Sequence, residues 1–374
     1  MKAANVHIDK IRITAEWTHK PTGKPHYFDE EEFGLLPSGS ATKNQRALVD
    51  GGDKAYIKSK GIDRFGVAHL VEIHCCPPLV LQRHNLFGHG VLQDYVYAIL
   101  DLAAKRLGLE VDPAQRAEWL RGGVSITEIH LTANFHCPRT AVLPIIEAID
   151  ANYIKGKWRN EQTSITIQGA KRRRSKSHAL TVYDKAIELT AAFRSENRGR
   201  APGEFQSKLI QEARKGIRAE VKLFSEELKY LDLGYVMRWK DVNVTELFFR
   251  FLGKYQISHS IQRLLKGEEL KVLTKSERNV YLLWLSGQDL SDQFSRTTAW
   301  KYAKSISEKT GIDVKGNRRP DAVPVIDTSK IFTPENVLAV PAWAIGTRYY
   351  CPPTKPIRSR GISSVPVTLD AFGE

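Results

Sequence analysis

The stretch Ser125-Ile-Thr-Glu-Ile-His-Leu-Thr-Ala-Asn-Phe-His136 decides how this chain folds. Apolar and polar residues alternate along all of it, which is the period of a β-strand with one buried face. The polar face carries Glu128, His130, Thr132, Asn134 and His136. In a central strand these side chains need partners, because buried polar groups without hydrogen bonds are costly. A metal site would supply partners, and an edge strand with a solvated polar face is the alternative.

The same two-residue period recurs elsewhere in the chain. It predicts strands at 7–17, 67–76, 164–167, 179–185 and 216–223, while apolar residues at helical spacing predict helices at 92–107 and 140–154. Residues 18–60 lack this periodicity and favour loops and short hairpins. Strands separated by helices indicate an α+β fold: a mainly antiparallel sheet domain with covering helices over residues 5–225.

A smaller helical region is predicted over residues 226–315. Thr274 and Glu277 form a capping box at the start of one helix, and a second helix follows after a short turn. This pair resembles a helix-turn-helix that reads DNA, with Arg296 and Lys301 near the start of its second helix. A simple packing unit is the alternative. Prolines and isolated apolar residues over 316–374 predict an extended or partly disordered tail.

Charge and composition narrow the classes of partner. The 374 residues carry a formal net charge of +14, with 42% apolar residues, so a polyanion is the first partner to consider. No apolar run approaches the roughly 20 residues of a membrane span, and no signal-peptide core follows the first residues, so we expect a cytoplasmic protein. The four cysteines match no zinc or disulfide pattern, and we expect them to be reduced.

The segment Ala179-Leu-Thr-Val-Tyr-Asp-Lys185 carries a candidate nucleophile. Its alternation predicts that Tyr183 and Lys185 share one face of a strand. A phenol, with a reference pKa of about 10, attacks a phosphodiester only when a cation or a metal stabilises the developing charge. Lys185 could be that cation. A purely structural tyrosine is the alternative.

Further charged groups lie on or near this segment. Five cations that could neutralise DNA phosphates precede it, namely Lys171, Arg172, Arg173, Arg174 and Lys176, although a solvated basic loop is the alternative. The strand at 67–76 places Glu72 and His74 on one face, and the strand at 216–223 does so for Arg218, Glu220 and Lys222. An ordinary surface of ion pairs would explain the second set equally well.

Taken together, these segments resemble the gene II replication initiators of filamentous bacteriophages. The resemblance runs in chain order through Ile8-Asp9, Val71-Glu72-Ile73, Leu81-Gln82-x-His84-Asn85-x-Phe87-Gly88, Ile129-His130, Leu180-x-x-Tyr183-x-Lys185, Arg218-x-Glu220 and Ser295-Arg296-x-x-x-Trp300-x-Tyr302. It covers most of residues 7–312. The segments around His84 and Tyr183 are the most specific.

The resemblance implies a rolling-circle initiator whose domain at 5–225 is a nicking and joining endonuclease. Tyr183 would become linked to the 5′ phosphate of one strand of the phage replicative form, and the 3′ hydroxyl would serve the host polymerase. The partners would be double-stranded origin DNA, the displaced single strand and a host helicase, in the cytoplasm of the bacterial host. No nucleotide cofactor is expected, because the tyrosyl link conserves the bond energy and no Gly-rich phosphate loop occurs. The oligomeric state stays open.

The resemblance also implies a divalent metal, Mg²⁺ or Mn²⁺. One departure affects it: the family's Arg-Ile-Asp pattern is Glu128-Ile129-His130 here, and an imidazole in place of a carboxylate favours Mn²⁺. The expected ligands are His130 and Glu220, with Glu72 or His74 as the third. His84 and Asn85 are expected to shape their turn or to contact DNA, and Arg218 to contact DNA.

Three other functions fit parts of the pattern. A non-catalytic origin-binding or repressor protein would use the helical region and leave no protein attached to a DNA end. A plasmid relaxase would use similar chemistry, but no histidine triad or helicase segment supports it. An RNA-binding role suits the charge, yet no aromatic-rich recognition motif is present.

Overall fold

The chain is described by a computed structural model that covers residues 5–22, 24–26, 42–45, 55–152, 157–160, 162–169, 171–172, 175–255, 257, 270–310, 314 and 328–353. Ten of the strands in these residues form one sheet. They are β1 (His7–His19), β2 (Lys24–His26), β3 (Thr42–Gln45), β4 (Ala55–Ile62), β5 (Ala68–Cys75), β6 (Ser125–His136), β7 (Lys157–Asn160), β8 (Ser164–Gln168), β11 (His178–Tyr183) and β12 (Gly216–Phe224). A separate hairpin consists of β9 (Lys171–Arg172) and β10 (Ser175–Lys176).

The order of the strands in the sheet is β2-β3-β4-β5-β1-β6-β12-β11-β8-β7, and its neighbouring strands run antiparallel. β6 therefore lies in the interior of the sheet, between β1 and β12, and the edge-strand alternative for residues 125–136 was wrong. The α+β fold with a mainly antiparallel sheet is confirmed. β7 is an element that the sequence patterns did not predict, and residues 18–60, expected to form loops and short hairpins, contain β2, β3 and most of the eight-residue strand β4.

The described helices are α1 (Pro77–Gln82), α2 (Leu92–Leu107), α3 (Pro113–Arg121), α4 (Val142–Asn152), α5 (Lys185–Glu196), α6 (Glu204–Ala213), α7 (Ser225–Tyr230), α8 (Val244–Lys254), α9 (Lys275–Leu285), α10 (Leu290–Gln293) and α11 (Arg296–Thr310). α2, α4, α7 and α8 pack in one core with the apolar face of the sheet. The alternation of β6 explains this, since Ile129, Leu131 and Phe135 are fully buried there. Truncating such a residue to alanine would lower the free energy of unfolding by roughly 2–5 kcal/mol.

Helix α8 lies beyond the domain boundary expected at residue 225. Its Phe248 and Phe251 are fully buried in the core of the sheet domain, and the Phe248 ring lies 6.2 Å from that of Phe135. The structure thus places α7 and α8 with the sheet, although they are continuous in sequence with the later helices. Helical periodicity alone does not say which core a helix joins.

The later helices, α9 to α11, enclose a small core of their own. The predicted capping box is present: Glu277 N–H donates to Thr274 Oγ1 at 3.3 Å, and Thr274 N–H donates to the Glu277 carboxylate at 2.8 Å. The same carboxylate accepts hydrogen bonds from Ser305 and Lys309 of α11. One buried acid therefore fixes the start of α9 and its packing against α11.

Residues 328–353 belong to the stretch expected as a tail, and they pack on the sheet domain. Phe332 contacts Phe135 with ring centroids 5.2 Å apart, and Val337 forms an isolated bridge with the same residue at the end of β6. Farther on, Ala344 is buried in a second apolar cluster with Leu86 and residues of α5 and α6. The segment therefore supports the loop that carries residues 84–87.

Candidate active site around Tyr183

Tyr183 is the last residue of β11, and the chain turns directly into a helix after it. Asp184 caps α5 by accepting hydrogen bonds from the N–H groups of Ala186 and Ile187. Lys185 is therefore the first residue of α5, and the expectation that it lies on a strand face with Tyr183 was wrong. Its Nζ nevertheless lies 5.9 Å from the centroid of the Tyr183 ring. A helix cap, which overrides strand alternation locally, explains the difference.

The Tyr183 hydroxyl lies between a carboxylate and a guanidinium on β12. It donates to Glu220 Oε2 at 3.4 Å and accepts from Arg218 Nη1 at 3.3 Å. Both contacts are long, as is common for catalytic groups without substrate. Burial raises the pKa of Tyr183 well above its ordinary value, and Arg218 opposes that rise. The hydroxyl is therefore protonated in the resting protein.

Arg218 is fully buried beneath this hydroxyl. Its guanidinium donates to Asn134 Oδ1 and to the carbonyl oxygen of Leu86, both at 2.9 Å, and also to the carbonyl oxygen of Asn85. Asp9 lies 3.9 Å from it. A guanidinium enclosed in this way is not available to a DNA backbone, so the structure does not support the DNA contact expected of Arg218. It joins β12, β6 and the loop at 85–86 instead.

A second polar chain links Lys185 to β1. Lys185 Nζ donates to Asn85 Oδ1 at 2.8 Å, and Asn85 Nδ2 donates to Asp9 Oδ1 at 2.9 Å. Lys185 also pairs with Glu188. Burial lowers the pKa of Lys185 and raises that of Asp9, while Glu188 and Arg218 respectively oppose these shifts. Asn85, expected to contact DNA or shape its turn, thus spaces a buried cation from a buried acid.

Asp9 reaches the site through a β-bulge. Ile8 pairs with Leu131 and Lys10 pairs with His130, so Asp9 is an extra residue on β1 between consecutive partners on β6. Strict alternation would have placed Asp9 with the apolar residues of β1. Because a bulge reverses the phase of the strand, the carboxylate joins the polar face instead. Asp9 is the main site residue that sequence patterns did not single out, although it belongs to the Ile8-Asp9 motif.

His130 is held between two carboxylates. Its Nε2 lies 2.8 Å from Glu128 Oε1, and its Nδ1 lies 2.7 Å from Glu220 Oε1. Burial alone would lower the pKa of His130, but the hydrogen bonds with these acids raise it above the ordinary value. Although burial favours a protonated Glu220, Lys222 and His130 keep its pKa below the usual range. The group is a buried imidazole between two carboxylates, which favour its protonated form.

The expected third metal ligands do not join this group. Glu72 is bound to Lys60 of β4 at 2.6 Å, and His74 lies 3.4 Å from Arg12 on β1. Burial, aided by Lys10, lowers the pKa of His74 to about 4. Across the described ranges, no three His, Cys, Asp or Glu side chains form a group that could hold a metal ion. Among the described residues, the predicted ligands therefore do not form a preassembled metal site.

The residues expected to bind DNA are spread over several places. Lys171, Arg172 and Lys176 lie in the β9–β10 hairpin, whereas Arg173 and Arg174 lie outside the described residues. This hairpin precedes β11, whose first residue, His178, lies about 17 Å along the strand from Tyr183. The basic run is thus close to Tyr183 in sequence but at the opposite end of the strand.

His84 shapes its turn and is not exposed. It is buried, its Nε2 donates to the carbonyl oxygen of Tyr349 at 2.8 Å, and its Nδ1 accepts from the Leu86 N–H at 3.2 Å. Of the two roles expected for His84, the structure places it in the first. Its partner in the segment 328–353 could not be read from a local pattern.

Helix α11 presents cations to solvent. Arg296 and Lys301 are exposed, and so is Trp300, with Lys304 Nζ 5.4 Å from its ring centroid. These residues recur on one face of the helix, and its opposite face packs on α9. The arrangement suits a helix-turn-helix reader.

The family of this chain can be stated from a match to a family model. The model describes the N-terminal part of the phage replication-associated protein of the gene II type, and it matches residues 51–242, which is just over half of the chain. The chain belongs to this family. It is a phage initiator of rolling-circle replication, as the resemblance to gene II proteins implied. No curated protein and no solved structure matches the chain significantly.

The match to the gene II family covers most of the site. Tyr183, Arg218, Glu220 and His130 lie inside the matched residues, whereas Asp9 precedes them.

None of the helices in the described residues combines the length and apolar character needed to cross a bilayer.

Proposed function

We propose that this initiator nicks one strand of the phage replicative form through Tyr183 and later rejoins the displaced strand. The observation that supports it is the Tyr183 hydroxyl, which lies within 3.4 Å of both the Glu220 carboxylate and the Arg218 guanidinium. The three groups come from two paired strands, Tyr183 opposite Arg218 in the register. They are therefore held by backbone hydrogen bonds and not by a flexible loop.

The reaction uses these groups as follows. The Tyr183 oxygen attacks the scissile phosphorus while Glu220 accepts its proton, and the bond from phosphorus to the 3′ oxygen breaks. The 3′ oxygen leaves and takes up a proton from water as a 3′ hydroxyl, and Tyr183 is left esterified to the 5′ phosphate. Arg218 stabilises the negative charge that develops on the phenolic oxygen. Rejoining is the same sequence in reverse, with a 3′ hydroxyl as the attacking group.

Lys185 and its partners orient the site. The cation lies beside the Tyr183 ring, and its hydrogen bond to Asn85 fixes the loop whose backbone holds Arg218. Because the tyrosyl ester conserves the energy of the phosphodiester, the proposal needs no nucleotide cofactor.

A divalent ion, Mg²⁺ or Mn²⁺, remains part of the proposal as a prediction. When bound, it would withdraw charge from the scissile phosphate. The predicted ligands Glu220 and His130 contact each other at 2.7 Å, so an ion would bind them only after that contact opens, and the steps above do not depend on it. Neither Glu72 nor His74 is needed for the steps above.

Origin recognition is assigned in this proposal to α9–α11. The exposed cations Arg296 and Lys301 on α11 would contact double-stranded origin DNA, while the sheet domain would bind the nicked strand. A host helicase and polymerase would extend the 3′ hydroxyl in the cytoplasm of the bacterial host.

The experiment incubates wild-type protein with Mg²⁺ or Mn²⁺ and a supercoiled plasmid that carries the phage origin, followed by denaturing gels. We expect a protein linked to a DNA 5′ end with wild type and with Tyr235→Phe, an exposed control. Tyr183→Phe should bind the plasmid but give no adduct. An adduct from Tyr183→Phe would remove that residue from the chemistry. Binding by wild type without a nick would favour a non-catalytic origin-binding protein, and an EDTA arm tests the metal separately.

A further inference from the structure

The polar face of the sheet continues past the Tyr183 site, where two partly exposed lysines lie beside His130. In the register, His130 of β6 pairs with Lys222 of β12 on one side and with Lys10 of β1 on the other. Residues directly opposite each other in a sheet point to the same face. The two lysines therefore flank the buried imidazole on the face that also carries Tyr183 and Glu220.

The charges around these lysines are unevenly neutralised. Arg12 is paired with Glu128 at 3.4 Å, and Lys222 lies 3.5 Å from Glu220. Lys10 makes no ion pair within the part of the chain that the structure describes. Farther out on the same face, Lys58 of β4 likewise has none there. Among the described residues, Lys10 and Lys58 are thus cations of this face that no carboxylate neutralises.

The spacing of the two lysines suits the sugar-phosphate backbone of a nucleic acid. They lie two strands apart, about 10 Å between Cα atoms, and both side chains are partly exposed. Lys222 is four residues from Arg218 along β12, which is about 13 Å. A phosphate held over His130 is therefore a neighbour of the one at Tyr183 and not the scissile phosphate itself.

We propose that Lys10 and Lys222 form a second phosphate site, which holds the single-stranded flank of the nicked strand. The inference rests on the proposed function, since it places DNA on the Tyr183 face. A single strand fits this surface because its backbone can bend to reach a hydroxyl recessed beside Arg218 and Asn85. Lys58 lies where such a strand would continue toward β4.

The test measures binding without nicking. A labelled oligonucleotide of about 20 nucleotides is titrated with Tyr183→Phe protein over a range of salt concentrations. Each lost phosphate contact lowers the slope of log affinity against log salt by about 0.7. Lys10→Ala with Lys222→Ala in that background should lower the slope by about 0.7–1.4. Lys10→Arg with Lys222→Arg should retain it, as should Lys240→Ala, an exposed lysine in the turn after residues 236–239.

The outcomes separate this site from the nicking proposal. An unchanged slope in the double alanine variant, with the variants folded by circular dichroism, would overturn the phosphate site even if wild type forms the Tyr183 adduct. A lowered slope would support the site even if wild type never forms an adduct, in which case only the proposed nicking would fail.

Discussion

Replacing Arg218 by methionine tests whether the buried guanidinium holds the active site together. The substitution keeps an unbranched side chain of similar length but removes every donor. Asn134 Oδ1, the carbonyl oxygens of Asn85 and Leu86, and the Tyr183 hydroxyl then lose the partner that lies within 3.3 Å of them. Asp9, 3.9 Å away, loses its nearest buried cation.

The expected cost follows from these contacts. A buried acceptor left without a donor costs about 1–3 kcal/mol, and breaking a buried ion pair from one side costs about 3–5 kcal/mol. Water can reach some of the loop carbonyls once the guanidinium is gone, so the separate costs do not simply add. We expect a loss of about 3–5 kcal/mol in the free energy of unfolding. Arg218→Lys should recover only part of it, because an ammonium cannot replace a planar fork of donors.

The assay is urea unfolding followed by circular dichroism and tryptophan fluorescence, alongside Arg214→Met as a matched control. Arg214 is exposed at the end of α6, so its loss should change stability by no more than about 0.5 kcal/mol. Equal stability of the Arg218 and Arg214 variants would refute the reasoning, because the guanidinium would then not be holding the loop. A stable Arg218→Met protein that also forms the DNA adduct would remove Arg218 from the mechanism as well.

Two further predictions concern a strand glycine and the helical unit. A Cβ at Gly216 would lie 2.0 Å from the Phe135 carbonyl oxygen, so Gly216→Ala should lower the unfolding free energy by about 1–3 kcal/mol. Gly234→Ala is the control, because a Cβ there meets nothing within 4 Å and should not lower stability. Equal unfolding midpoints for the two variants would contradict this prediction. Although burial favours the protonated acid, Lys309 and Ser305 lower the pKa of Glu277 to about 2. The stability that the ionised Glu277 adds is therefore complete above the ordinary glutamate pKa of 4.5 and is lost as pH falls toward 2. Glu277→Gln should therefore be less stable than wild type at neutral pH, with a difference that shrinks in acid; a difference independent of pH would refute it.

Local sequence patterns determined several strands, a helix start and two site motifs of this protein. The alternation at 125–136 and 216–223 specified strands with one polar and one apolar face, and the capping box at Thr274 and Glu277 marked the start of α9. The Tyr183 and Glu220 motifs were visible, because side-chain period and capping depend on residues within a few positions of each other. That information sufficed for the fold class and the family.

Only the tertiary structure decided how those elements meet. The bulge at Asp9 and the hydrogen bonds of Arg218 depend on which strands pair and in which register, and the separation of Glu72 from His130 depends on the order of strands in the sheet. Register and strand order are set by packing between residues far apart in sequence, so no local period encodes them. The sequence therefore determined which residues share a strand face, and the packing of β1, β6 and β12 decided which of them surround Tyr183.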